Sequence, residues 1–95
     1  MSNVQTGPVV VDHVTLNDPA FIHDTAIIHG KVKLEEGSSV WPYVVFRAEM
    51  FEVVIGARTN IQDHVMVHVG NHTGTYVGED CSITHKVCLH GCTIG

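Results

Sequence analysis

IHDTAIIHGKVKLEEGSSVWPYVVF, residues 22–46, decides the fold, because every sixth residue in it is large and apolar: Ile22, Ile28, Leu34, Val40 and Phe46. The same beat returns as Ile55, Ile61 and Val67, and again as Val77, Ile83 and Leu89. Four places after most of these markers stands a small or β-branched residue: Ala26, Val32, Ser38, Val44, Thr59, Val65, Cys81, Val87 and Thr93. A helix repeats its apolar residues every 3.6 positions and a half-buried strand every 2, so neither accounts for a sustained period of 6. The hexapeptide repeat of a parallel β-helix does. Each unit forms one flat side of a triangular coil, and its marker points into a narrow interior. The chain is therefore read as all-β, a single-stranded parallel β-helix of about four coils.

The repeat also organises the chain. Its 95 residues are read as one domain, 1–95, with a lead-in or cap over residues 1–20, where Gly7, Pro8, Asn17, Asp18 and Pro19 fall. Coils then occupy residues 21–95. Marker spacing widens to nine between Phe46 and Ile55 and to ten between Val67 and Val77. The second excess lies in a loop at 69–76 whose Gly70-Asn71-His72-Thr73-Gly74 run is turn chemistry, so it should project from a corner. Thr93-Ile94-Gly95 opens a repeat that is not completed, which reads as a solenoid truncated at its C-terminal end.

Composition excludes several partners. A net charge of −5 with only five Lys+Arg argues against nucleic acid, which requires a basic stripe. No apolar run has the length of a membrane span, and the N-terminus lacks the basic-then-apolar pattern of a signal peptide, so a cytoplasmic protein without membrane contact is expected. Three cysteines make no disulfide framework. Cys81 is an inward position, and Cys88 and Cys92 are four apart, not a zinc-knuckle spacing, so all three read as structural thiols.

Eight histidines are the anomaly, and the repeat decides among them. Three units make a coil, so every third marker shares a face: Ile28, Phe46, Val67 and Leu89 on one, Ile22, Val40, Ile61 and Ile83 on another, Leu34, Ile55 and Val77 on the third. The residues following the first set form the column His29, Arg47, His68, His90, and those following the second form His23, Trp41, Gln62, Thr84. His68 and His90 are 22 apart, one 18-residue coil plus the four-residue excess, so they are vertical neighbours. Imidazoles one rung apart, about 4.8 Å at Cα, can converge on one ion with Zn–N bonds of about 2.0–2.1 Å. His29, two rungs below His68 and roughly 10 Å away, is too far to join them.

A catalytic zinc usually takes three protein ligands and an open position. His85 is the candidate third. It follows its marker by two, stacks over Asp63 and belongs to a different face. In a cyclic trimer one subunit's second face meets the next subunit's first, which brings His85 of one chain to the His68/His90 pair of its neighbour. His13, His23, His29 and His64 read as solvated surface residues, and His72 as an exposed loop residue.

The segment from Arg47 to Gly95, and more weakly back to Ile22, resembles the γ-class carbonic anhydrases. The matching stretches are Ser39-Val40-Trp41, Arg47-Ala48-Glu49, Ile55-Gly56-Ala57-Arg58-Thr59-Asn60-Ile61-Gln62-Asp63, Val67-His68-Val69, and the run from Ile83 to Gly95 containing His85-Lys86-Val87-Cys88-Leu89-His90. The resemblance implies a left-handed helix, against the usual right hand of parallel crossovers, and a homotrimer. It implies a metal, Zn2+ with Fe2+ or Co2+ possible, held by His68 and His90 of one subunit and His85 of the next. It implies that Gln62 orients the attacking water with Asn60 in support, and that Arg47, Glu49 and Asp63 form ionic contacts between subunits. The activity implied is reversible hydration of carbon dioxide to bicarbonate.

Three departures bear on that activity. Glu49 stands where the family has an aspartate. The loop from Gly70 to Tyr76 has no carboxylate, leaving His72 as its one group that titrates near neutral pH and hence a proton-shuttle candidate. The family's C-terminal coils and packing helix are missing. Two alternatives stay open: a hexapeptide-repeat acyltransferase using coenzyme A with His85 or His72 as base, and a catalytically weak metal-binding structural or assembly subunit.

Overall fold

In a computed structural model, which describes residues 8–11, 13–70 and 73–95, the three predicted columns become three ladders of parallel strands. In chain order the strands are β1 (Val9–Val11), β2 (Thr15–Leu16), β3 (Phe21–Ile22), β4 (Ile27–Leu34), β5 (Ser39–Val40) and β6 (Val45–Ile55). Next come β7 (Asn60–Ile61), β8 (Met66–His68), β9 (Thr75–Val77), β10 (Ser82–Ile83), β11 (Cys88–His90) and β12 (Thr93–Ile94). One ladder runs Val10, Ile28, Phe46, Val67, Leu89. A second runs Ile22, Val40, Ile61, Ile83. The third runs Leu16, Leu34, Ile55, Val77, Ile94. The architecture is an all-β parallel solenoid of about four turns that matches a left-handed β-helix, with no helix among the described residues.

Burial follows the six-residue beat. Ile28, Leu34, Val40, Phe46, Ile55, Ile61 and Val67 are fully buried, and Val77, Ile83 and Leu89 nearly so. The intervening small positions Ala26, Val32, Ser38, Val44, Thr59 and Val65 complete the interior. Their size is dictated by the tight triangular section, where three sides meet and a long side chain has no room. Each coil is stabilised by apolar stacking on the coils above and below it, and the residues just outside each marker are left on flat, outward faces.

The coil begins earlier than residue 21. Val9–Val11 pair with Ile27–His29, and Thr15–Leu16 with Lys33–Leu34, all at the 18-residue offset of the repeat. Val10 and Leu16 thus take marker positions, though both are well exposed. Both marker excesses fall at one corner. Gly30 pairs with Ala48 but Val32 with Val53, so the first three extra residues lie within 49–52. Above it the chain leaves β8 through a loop before β9, and above that again β11 turns directly into β12. The corner is therefore a stack of a bend within β4, a longer excursion within β6, the loop between β8 and β9, and the direct turn from β11 into β12. At a second corner Tyr43, His64 and Lys86 succeed one another with φ of 62°, 63° and 63°, and at the third Gly37, Arg58 and Asp80 do so with φ of 73°, 56° and 55°. Cys81, Cys88 and Cys92 are free thiols.

Candidate metal centre

In β8 and β11 the marker faces inward and its neighbours outward, the alternation of any strand. Met66 and His68 flank buried Val67, and Cys88 and His90 flank buried Leu89. Backbone pairing sets Arg47 beside His68 and His68 beside His90. The two imidazoles stack with centroids 5.1 Å apart and planes inclined by 4°. They border a cleft of about 160 Å³ together with Glu49, Met50, Val69 and Gly70. This is the corner where both sets of extra residues lie.

Glu49 ties this cleft together. One carboxylate oxygen lies 2.8 Å from His68 Nε2, and the other accepts a hydrogen bond of 2.7 Å from Arg47 Nη2. The hydrogen bond to His68 and then that from Arg47 hold the Glu49 carboxyl below the usual carboxylate range. Within the chain, then, Arg47 engages Glu49, and Glu49 engages His68. The contact with His68 goes beyond the ion-pair reading of Glu49. The repeat carried part of the signal, since it sets Arg47 on the rung below His68, but the placement of Glu49 needed the register across the corner.

The other candidates occupy a different face. Gln62 Nε2 donates to Asn60 Oδ1 and to Ser82 Oγ, each at 3.0 Å, and Ser82 Oγ donates to Asn60 Oδ1 at 2.7 Å. The closed triangle fixes the amide through Nε2 and leaves Gln62 Oε1 as its remaining acceptor. Ser82 is an addition to the residues read from sequence, findable from its register with Asn60 one rung below. His85, 65% exposed, follows β10 on the same side and has Nδ1 3.8 Å from Asp63 Oδ1. Ser39, Trp41, Asn60, Gln62, Asp63 and His85 line a groove of about 400 Å³. Trp41 packs on Phe21 with centroids 4.9 Å apart, extending the groove as an exposed aromatic stripe. Among the described residues no group of three potential metal donors occurs within one chain. His72 lies outside the described residues.

Comparison with known proteins places this geometry. No family model and no solved structure matches the chain. The protein YrdA of Escherichia coli K12 is 46% identical over 82 residues, 78% of this chain and 44% of that protein. Gamma carbonic anhydrase 3, mitochondrial, of Arabidopsis thaliana is 38% identical over 81 residues, 79% of this chain and 31% of that protein. The chain belongs to the γ-carbonic anhydrase-like hexapeptide-repeat family.

A third relative in this family, the carnitine operon protein CaiE of Escherichia coli O157:H7, is 36% identical over 89 residues, 94% of this chain and 43% of that protein. The chain spans less than half the length of each of these relatives. No helix among the described residues is long and apolar enough to cross a membrane.

Proposed function

We propose that this chain is a carbonic anhydrase-like metalloprotein whose centre is completed between subunits of a homotrimer, with carbon dioxide and bicarbonate as its substrates. The observation that carries the reading is the division of the donor set. His68 and His90 stand side by side on one face, while His85 stands with Gln62 and Asn60 on another. The residues fit a borderline cation. Two parallel imidazoles one rung apart offer neutral nitrogen ligands to zinc, and a third histidine from a neighbouring copy leaves a fourth position open. Iron(II) or cobalt(II) suits the same nitrogens.

A zinc ion bound there supplies a Lewis acid that brings the pKa of water near 7 and so provides a nucleophile for carbon dioxide at neutral pH. The chain's own residues do the rest. Gln62, with both amide hydrogens engaged by Asn60 and Ser82, presents Oε1 to accept a hydrogen bond from the attacking water and so orients it. Apolar Met50 and Val69 border the His68/His90 cleft and favour an uncharged, linear substrate there. Glu49 and Arg47 neutralise each other beside His68, keeping the cleft without a large net charge. Proton export falls to His72 or to buffer.

The test is elemental analysis and stopped-flow carbon dioxide hydration on the purified chain and on His85→Ala and His90→Ala. Bound metal near one ion per chain, lost in both variants together with hydration, supports the reading. A wild-type protein that binds no added zinc, or variants that retain it fully, overturns it. Binding of acetyl-coenzyme A without metal would favour acyl transfer instead. Bound metal without hydration would leave the structural metal subunit.

A further inference from the structure

Thr75 opens β9 directly after the loop that leaves His68, and it is fully buried. Its hydroxyl donates to the His68 carbonyl at 2.6 Å and accepts from the Gly91 N–H at 2.8 Å. The Gly91 N–H also reaches the His68 carbonyl at 3.1 Å. One hydroxyl therefore joins the backbone of one imidazole to the residue that follows the other.

The place explains the need. Here the lower chain leaves β8 for a loop, while the upper chain turns at once from β11 into β12. The ladder is about to part just beyond both histidines. Gly91 makes the upper turn with φ of 57°, and a Cβ there would lie 2.8 Å from Gly70 Cα. The two backbones are thus pressed together after His68 and His90, and Thr75 holds them so.

We propose that Thr75 is a positioning residue for the imidazole pair, setting the height and lateral offset of His68 and His90 through their backbones. The inference rests on the reading of these two histidines as metal ligands. Metal–nitrogen distances tolerate only about 0.2 Å, so a small displacement of one strand end matters more to a metal than to the coil.

The molecule contains its own control. Thr59, equally buried at another corner, donates to the Gly78 carbonyl and accepts from the Cys81 N–H at 3.0 Å. It is the same clamp between rungs, remote from the imidazole pair. A purely structural role for Thr75 makes the two threonines equivalent; a positioning role does not.

The experiment is a cobalt(II) titration of the full chain, read by its visible absorption, with melting curves for every variant. Thr75→Val should weaken cobalt binding about tenfold or more, in the range seen when groups supporting a ligand are removed, and alter the band shape. Thr59→Val should lower the melting temperature comparably while keeping wild-type affinity and spectrum. Thr75→Ser, which keeps the hydroxyl, should restore the wild-type band. Thr75→Val indistinguishable from wild type, or Thr59→Val equally impaired, overturns the proposal. Should Thr75→Val fail to fold, Thr75→Ser decides, since a shifted band there shows that the hydroxyl is not what matters. Cobalt binding that survives His90→Ala strikes instead at the ligand reading, and the positioning role falls with it.

Discussion

Arg58 and Asp80 occupy successive rungs of one corner, both with left-handed backbone, a conformation that side chains other than glycine's adopt at a cost. What they gain is a two-point ion pair, Nε to Oδ1 at 2.7 Å and Nη2 to Oδ2 at 3.0 Å, the fork geometry that suits a carboxylate best. The hydrogen bond from Arg58 holds the Asp80 carboxyl below its usual value. A lowered folded-state pKa means stability that is present above the unfolded value of about 3.9 and lost as pH falls through the folded one. Asp80→Asn should therefore lower the urea midpoint at pH 7, and the gap from wild type should close as the pH drops below 4. Both groups are well exposed, so the gap is expected to be modest and to shrink in high salt. A gap constant from pH 7 to pH 3 would mean that Asp80 acts through its backbone and not its charge. Gln62 makes a different residue-scale case. Gln62→Ala should leave metal content near wild type and cut hydration about 10–100-fold, as expected of a group that supports a ligand without binding the metal. Loss of the metal itself would contradict that role.

The turns decide what the strands can do. Gly30 turns with φ of 99°, and a Cβ on it would run into the Ala48 carbonyl of the next coil. Gly30→Ala should cost about 2–4 kcal/mol, from strained backbone and forced separation of the rungs. Guanidinium unfolding checks it, and a cost under about 0.5 kcal/mol would show that the corner relaxes freely. This corner also marks the limit of what could be read from sequence. A repeat of six with three units per coil says which residue lies above which, so the column His29, Arg47, His68, His90 was legible before any coordinates. The count of extra residues between Phe46 and Ile55 was legible as well. Their placement at 49–52, and hence Glu49 against His68, required the register across the corner, which side-chain periodicity does not carry. The start of the coil was obscured for another reason. Val10 and Leu16 keep the six-residue spacing, but Asn17, Asp18 and Pro19 beside them are turn formers, and turn chemistry recurs at every corner of a solenoid.

At the scale of the whole molecule, the proposed centre belongs to no single chain. Its histidines face two directions, so each chain has two different faces to offer its neighbours, and a closed ring engages both at every interface. In a cyclic trimer each interface is heterologous, one chain offering His68 and His90 and the next offering His85. This makes a prediction that a site built within one subunit cannot satisfy. Homotrimers of His85→Ala and of His90→Ala should each lack metal. When the two proteins are unfolded, mixed in equal amounts and refolded, every interface draws its two faces independently. Random assembly leaves about one interface in four with all three histidines, because the His85→Ala chain still carries an intact pair and the His90→Ala chain an intact third ligand. Zinc content of the mixture, measured beside its mass in solution, should therefore recover to about a quarter of wild type, and any hydration activity with it. Isotope labelling of one parent shows by mass that the chains have exchanged. Exchanged trimers with no recovered metal would place all the ligands within one subunit, and a monomer that holds zinc as firmly as any assembly would do the same.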